Sequence, residues 1–332
     1  MTVQTKVAVQ AKEPAGAAPR SPIDLTSGVW GPLIGLVALC VFFAFKAQHF
    51  FTLQNAIIIF DQVTVYGILA IGMTLVIITG GIDLSVGSVL AFSAMTTGWL
   101  FSIVGMPFLP ALACGILIGG VAGLVSGMLV TYARLPPFIA TLATMTITRG
   151  LANKYTDGNV VSGWPDALNT LNTYRHFGVI TATTAFFLLL VVATWAFLKY
   201  RPAGRNLYAI GGNPEVARLA GIPVRLYLVS VYVVAGALSA IAGMANAARL
   251  QTSQPYDGLG YELTAIAAVV IGGASLSGGV GSIGGTLIGV LIIGVLNSGL
   301  SQIGAQTYDK DVIIGVMIAA AVAFDTLIRR RR

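Results

Sequence analysis

The chain holds few side chains that could do chemistry, and those few are scattered. His49 and His176 fall in polar stretches far apart, with no paired cysteines and no nucleophile placed beside either. They suggest neither a metal cluster nor a Ser-His-Asp arrangement. Cys40 and Cys114 sit inside apolar runs and read as small buried hydrophobes, not as a disulfide or a metal site. None of the acidic residues stands at the centre of an apolar run; Asp61, Glu262 and Asp325 fall near the ends of such runs. Carriers coupled to protons or voltage keep ionisable groups in the membrane core as relays, so this pattern points away from them. Nor does any G-x-x-x-x-G-K-[ST] stretch occur, and no glycine is followed by lysine. The backbone cradle that P-loop proteins build for ATP phosphates is therefore missing, and an ATPase working with this chain must be another subunit.

What the residues can do is break helices and cap them. Gly80-Gly81-Ile82-Asp83-Leu84-Ser85-Val86-Gly87 is echoed at an offset of 192 by Gly272-Gly273-Ala274-Ser275-Leu276-Ser277-Gly278-Gly279. Glycine pairs and serines between apolar segments interrupt a helix, and irregular backbone at membrane depth is tolerated only under protein or beside a watery cavity. Two readings stand: breaks beside a translocation path, as in transporters built from repeats, or short turns in which Asp83 or Ser85 caps the next helix. The first makes Gly80, Gly81, Asp83, Ser85, Gly272, Gly273, Ser275 and Ser277 candidate path or gate residues.

A second segment, Gly212 to Ile222, is a short helix complete with its punctuation. Asn213 suits the N-cap, Pro214 the first helical position, Glu215 the positive end and Gly221 the left-handed exit. Val216, Leu219 and Ala220 share one face. So short a helix is marginal alone in water, so it docks either on the protein's own surface or on a partner, and the residues leave both open.

The elements that must position these segments are set by composition. Of 332 residues 56% are hydrophobic and only 9% charged, and mean hydropathy is +0.86, whereas a soluble chain carries about 25% charged residues. The bilayer is the solvent. The expected fold is an all-α polytopic membrane protein of about ten spans, with glycine-rich broken segments. Full-length runs are 29–45, 62–79, 86–104, 109–131, 180–198, 226–248, 283–303 and 312–328, and shorter ones 137–152 and 261–273. Residues 1–27 read as a disordered cytoplasmic tail, 28–328 as the transmembrane domain with a long cytoplasmic loop at 199–225, and 329–332 as a basic cytoplasmic end.

A cytoplasmic N-terminus puts thirteen basic residues inside and six outside, as the positive-inside rule requires. Trp30 and Trp195 then lie near the inner interface and Trp99 near the outer one. The net charge of +7 reflects this anchoring, the four terminal arginines included, and not a nucleic-acid surface. The loops 152–178 and 249–260 fall outside, as docking surfaces or as solvated connectors. Gly115, Gly119, Gly123 and Gly127, like Gly281, Gly285 and Gly289, form smooth faces for helices of the same subunit or for a second copy.

The stretches GMTLVIITGGIDLSVGSVLA (72–91), PFIATLATMTITRGL (137–151), YAIGGNPEVARLAGI (208–222) and 248–300 resemble the permeases of ribose-, arabinose- and xylose-type ABC importers, the ribose type most of all. The likeness runs through nearly the whole chain from about residue 50. It implies the ABC importer permease fold in a bacterial inner membrane, a second permease copy, two cytoplasmic ABC ATPases that carry the ATP and Mg²⁺, and a periplasmic sugar-binding protein. It also implies that Asn213, Glu215, Ala217, Arg218 and Gly221 belong to a coupling helix seated on the ATPase. The implied function is import of a ribose-like pentose or related sugar, without enzymatic activity or a bound cofactor in this chain; a stand-alone secondary sugar transporter is the alternative.

Overall fold

The computed structural model describes residues 29–176, 178 and 180–330. The expected tail at 1–27 and the last two arginines lie outside them. Within them the backbone is almost wholly helical, because a helix pairs every peptide group inside its own segment and needs no water to do so. The helices are α1 (Trp30–Lys46), α2 (Leu53–Ile78), α3 (Val86–Ser102), α4 (Phe108–Thr131), α5 (Pro137–Lys154), α6 (Asp166–Thr173), α7 (Ala182–Tyr200), α8 (Pro202–Gly212), α9 (Pro214–Leu219), α10 (Val224–Leu250), α11 (Tyr261–Ile271), α12 (Ile283–Gln302) and α13 (Thr307–Arg330). A two-residue hairpin, β1 (Arg175–His176) with β2 (Ile180–Thr181), precedes α7. Five helices, α2, α4, α7, α10 and α12, are long and apolar enough to cross a membrane. Each of the ten expected spans has its helix, with α6, α8 and α9 in the connections.

Helices α2 and α10 form the centre. From Gly67 to Ile78 every residue of α2 is buried, and α10 packs along α2, α3 and α4. The α4 glycines are what let α10 approach. A Cβ at Gly119 would lie 2.7 Å from the Ala240 Cβ, one at Gly123 2.8 Å from the Tyr232 carbonyl carbon, and one at Gly127 3.0 Å from the Val229 Cα. Gly236 on α10 answers with the same closeness, 2.9 Å from the Gly123 nitrogen. The second stripe is also used within the chain, Gly285 against Gly272 and Gly289 against Ala268. Both faces are thus filled by helices of the same subunit.

This packing makes a paired prediction. Gly123→Ala should destabilise the fold by about 1–3 kcal/mol, the usual cost of forcing a methyl into a filled contact. Gly120→Ala, where the nearest atom is 4.0 Å away, should change little. Thermal unfolding of the two variants in detergent checks the contrast.

Aromatic and basic groups mark the two ends of the bundle, as interfaces do. At the end that carries α8 and α9, Lys199 lies 4.8 Å from the Trp195 ring and Arg225 5.8 Å from the Tyr132 ring. At the other end Trp99 stacks on Tyr155 at 5.5 Å, and Arg175 of the hairpin pairs with Asp61 of α2 at 3.0 Å.

One expectation fails here. Residues 251–260 are not a loop outside the bundle but a re-entrant segment that descends into it. Its first half is tied to the 155–165 connection by a two-bond bridge between Ser253 and Val161 (2.9 and 3.0 Å), and Ser253 is fully buried. At its end Tyr261 meets Tyr66, ring centroids 4.8 Å apart, at the midpoint of the 26-residue α2. Helix α11 therefore begins halfway down and its 11 residues rise about 16 Å, roughly half the apolar thickness. The polar residues at 251–260 look external in sequence because re-entrant and solvated segments share that composition. The loop at 152–178 is likewise no bare connector: α6 buries Leu168 with Trp164 against Met244, Ala247 and Ala248 of α10.

Candidate functional site

The two echoed glycine segments meet. Helix α11 runs alongside α2 in the same direction, and beyond both helices the Gly279 N–H donates to the Ile78 carbonyl at 2.8 Å. Gly80 (φ +80°), Gly278 (φ +84°) and Gly279 (φ +74°) all take left-handed backbone, which only glycine adopts without strain. A Cβ at Gly278 would lie 3.0 Å from the Gly80 Cα and 2.7 Å from the Gly211 carbonyl. Gly211 belongs to α8, so a third element enters the same point. There is no room at Gly211 for a side chain: its Cβ would overlap the Ile78 carbonyl and lie 2.5 Å from the Gly279 nitrogen. The Tyr208 hydroxyl, one turn earlier on α8, donates to the Gly281 carbonyl at 2.9 Å.

The candidate path or gate residues divide around this junction. Gly80, Gly273 and Ser277 are exposed, whereas Gly81, Asp83, Ser85, Gly272 and Ser275 are buried. Asp83, 1% exposed, accepts from the Ser85 N–H (2.8 Å) and hydroxyl (2.6 Å), which closes a local turn just ahead of α3. Ser275 orders its own turn: its hydroxyl accepts from the Ser277 N–H at 3.3 Å, and its carbonyl from the Gly278 N–H at 3.0 Å. Ser85 stands at the N-cap of α3 without a side-chain cap bond, so the capping expected of Asp83 or Ser85 is not made, and the serine turn shapes the loop that delivers Gly278 to the junction.

Helix α9 follows α8 after one residue. Asn213 is extended (φ −161°, ψ 105°), and its side-chain oxygen accepts from the N–H groups of Glu215 (3.0 Å) and Val216 (3.1 Å). At the other end the Ile222 N–H donates to the Ala217 carbonyl (3.1 Å) and the Gly221 N–H to the Arg218 carbonyl (3.0 Å), with Gly221 at φ +83°. This is the two-bond left-handed exit expected of a C-terminal glycine. Ala217 is buried at 3% exposure, whereas Val216 (60%) and Leu219 (79%) point away from the protein. Arg218 and Glu215 pair with each other at 3.0 Å on the exposed side, a contact worth about 0–1 kcal/mol. The helix thus rests on its own subunit through Ala217 and still presents apolar side chains outward.

Because Asn213 satisfies two first-turn donors, Asn213→Ala should cost about 1 kcal/mol of local helix stability. Amide hydrogen exchange across 214–221 should speed up roughly fivefold in that variant, with α10 unaffected.

Two elements of this site escaped sequence reasoning. Helix α8 was visible in principle, since Pro202 opens it and Gly204, Leu207 and Ile210 are buried at a three-residue spacing. Arg149, counted among the outer charges, instead reaches from α5 to the re-entrant segment, where it donates to the carbonyls of Pro255 and Asp257, the latter at 2.9 Å. Grooves of about 450 and 420 Å³ flank α7 and are lined chiefly by apolar side chains, among them Phe197, Leu207 and Val234 in one and Leu112, Phe186 and Met244 in the other.

Comparison with known proteins agrees with this architecture. Residues 55–322 match the family model described as branched-chain amino acid transport system / permease component. The ribose import permease of Bacillus subtilis (strain 168) is 45% identical over 306 residues, covering 89% of this chain and 92% of that protein. The ribose import permease of Escherichia coli (strain K12) is 42% identical over 299 residues, 88% and 92% of the two chains. The galactose/methyl galactoside import permease of Escherichia coli (strain K12) is 34% identical over 321 residues, 90% and 94%. No solved structure matches.

Proposed function

We propose, from the premise that this chain belongs to the family of transport-system permease components, that it is the membrane-spanning subunit of an ATP-binding-cassette importer for a monosaccharide. It is a transport subunit and not an enzyme. Nucleotide binding falls to a separate ATPase, and a substrate-binding protein delivers the sugar. Ribose or a similar pentose is the cargo, because the relatives named for ribose share 39–45% identity with this chain against 37% for the one named for allose and 34% for the one named for galactose. The family description names branched-chain amino acids, but the relatives matched across nine-tenths of the chain carry sugar names.

The observation that supports the mechanism is the contact of α8 with both glycine segments. Helix α9, with Asn213, Glu215, Ala217, Arg218 and Gly221, is the coupling helix: its exposed Val216 and Leu219 seat in the ATPase, and Ala217 keeps it on the permease. Asn213 is the single residue between α9 and α8, so a tilt of α9 is passed to α8 and through Gly211 to Gly80, Gly278 and Gly279. Those glycines hold the ends of α2 and α11 together, and their separation gates the path. Gly81, Asp83, Ser85, Gly272, Gly273, Ser275 and Ser277 shape that gate from either side. The coupling loop at 199–225 faces the cytoplasm with Lys199, Arg201, Arg205, Arg218 and Arg225, as do both termini, in a bacterial inner membrane. A second copy of the permease completes the path, since the cavities of one chain are apolar grooves suited to acyl chains.

Reconstitution tests this reading. Liposomes holding the permease, its ATPase and the binding protein should take up ribose only with ATP inside the ATPase compartment. Uptake by the permease alone along a proton gradient would establish a secondary carrier instead.

A further inference from the structure

We propose that Arg149 is a positioning residue for transport, holding the re-entrant segment 251–260 and the start of α11 in register against α3; the role in transport rests on the importer reading above.

The segment has little else to hold its inner half. Its outer half is fixed by the Ser253–Val161 bridge, but beyond Ser253 the chain runs without helix or strand until Tyr261. Backbone carbonyls in such a stretch need a donor when they lie at membrane depth. One guanidinium supplies it, donating from α5 to the carbonyls of Pro255 and Asp257. The Asp257 carboxylate stiffens the same turn by accepting from the Gln254 N–H at 2.9 Å. Asp257 and Glu262 also place two carboxylates in the field of Arg149, which offsets the cost of keeping a cation there.

The register it sets is a backbone contact. Gly258 (φ +69°) lies against Gly87 so closely that a Cβ on Gly258 would be 2.6 Å from the Gly87 carbonyl, and one on Gly87 would meet the Gly258 carbonyl and the Glu262 carboxylate. Gly87 is in the first turn of α3, and α3 is fixed to α5 by the Thr148–Ser88 hydroxyl bond of 2.8 Å. Arg149 stands next to Thr148 on α5. One turn of α5 therefore grips both broken helices, α3 by Thr148 and the approach to α11 by Arg149. Both bonds leave one guanidinium nitrogen, Nη1, so a lysine ammonium on a shorter stem replaces them only in part.

The test separates local release from unfolding, and it does not depend on the sugar. In a chain with Cys40 and Cys114 replaced, Thr264→Cys reports on the start of α11 and Ser239→Cys on the α10 core; Thr264 is 8% exposed and Ser239 fully buried. Arg149→Gln should raise labelling of the cysteine at 264 by a membrane-permeant maleimide about tenfold, since charged hydrogen bonds of this kind hold at that scale. The cysteine at 239 should stay protected, and Arg149→Lys should recover part of the effect. In the full importer, Arg149→Gln should also raise the ATP hydrolysed per ribose carried, with complex assembly unchanged. Equal labelling at 264 in parent and variant, or exposure of 239 together with 264, overturns the proposal. A parent complex that carries no sugar would sink the importer reading while leaving the labelling result to decide the positioning of the segment.

Discussion

Replacing Gly211 by alanine is expected to cut ATP-driven sugar uptake by at least about tenfold, whereas the same change at the neighbouring Gly212 leaves it within about twofold. The two glycines share composition, helix and solvent boundary, and differ in what stands around them. At Gly211 the added methyl overlaps the Ile78 carbonyl and crowds the Gly279 nitrogen, while at Gly212 nothing lies within 4 Å. Both obstacles at Gly211 are backbone, so no side-chain rotation relieves them. The helix must retreat, and with it goes the close contact that joins α8 to the ends of α2 and α11. Overpacking of this kind costs about 1–3 kcal/mol, enough to shift the population of a two-state gate by roughly ten- to a hundredfold. Uptake in reconstituted liposomes, normalised to inserted protein, reads the difference. Equal activity of the two variants would mean that the glycine junction transmits nothing.

The second large effect is expected on the outer face of α9. Val216→Asp with Leu219→Asp should weaken association with the ATPase by more than about thirtyfold, the scale of losing apolar anchors at the centre of an interface. Folding should be little affected, since both side chains are already exposed. Arg218→Glu is informative beside it. The present Glu215–Arg218 pair is exposed on both sides, so losing it costs the permease little stability, and a drop in ATP-coupled uptake would report the partner and not the fold. Gly221→Pro acts differently: it removes the N–H that closes the helix on the Arg218 carbonyl and fixes φ in the wrong region, where the present value is +83°. It should abolish coupling with membrane insertion intact. Co-purification of the ATPase with each variant measures these losses.

Local signals were legible in the sequence. Asn213, Pro214 and Gly221 define α9 within two residues because caps depend only on neighbours along the chain, whereas Asp83, which has the residue type of a cap, closes a turn on Ser85 ahead of α3. Each of the ten apolar runs contains a helix, but among the described residues five of those helices are long and apolar enough to cross a membrane, and α11 covers about half the apolar thickness. Run length misplaced the start of α2, where Gln54, Asn55, Asp61 and Gln62 give the first turns a polar cast although Thr52 caps the helix at Leu53. Tertiary partners were less visible. The glycine stripe of α4 is compatible with any close neighbour, and only the fold shows α10 in that place. The meeting of Gly80, Gly211 and Gly278 joins three segments scattered along the chain; the echo relates the first to the third, but nothing in the sequence marks Gly211 as their partner. Residues 251–260 were misread for a different reason. Descent into the bundle depends on a donor on another helix, Arg149, and a lone arginine near the end of an apolar run looks like an interface anchor.

The central claim is that this permease is driven from outside the membrane through α9, and a photo-crosslinking amino acid at position 219 tests it in native membranes. The account predicts a covalent product with a nucleotide-hydrolysing subunit, with none from the same probe at position 174, exposed beside the hairpin at the opposite end of the bundle. Recovery of the permease from those membranes without any such product, while sugar uptake continues, would contradict it.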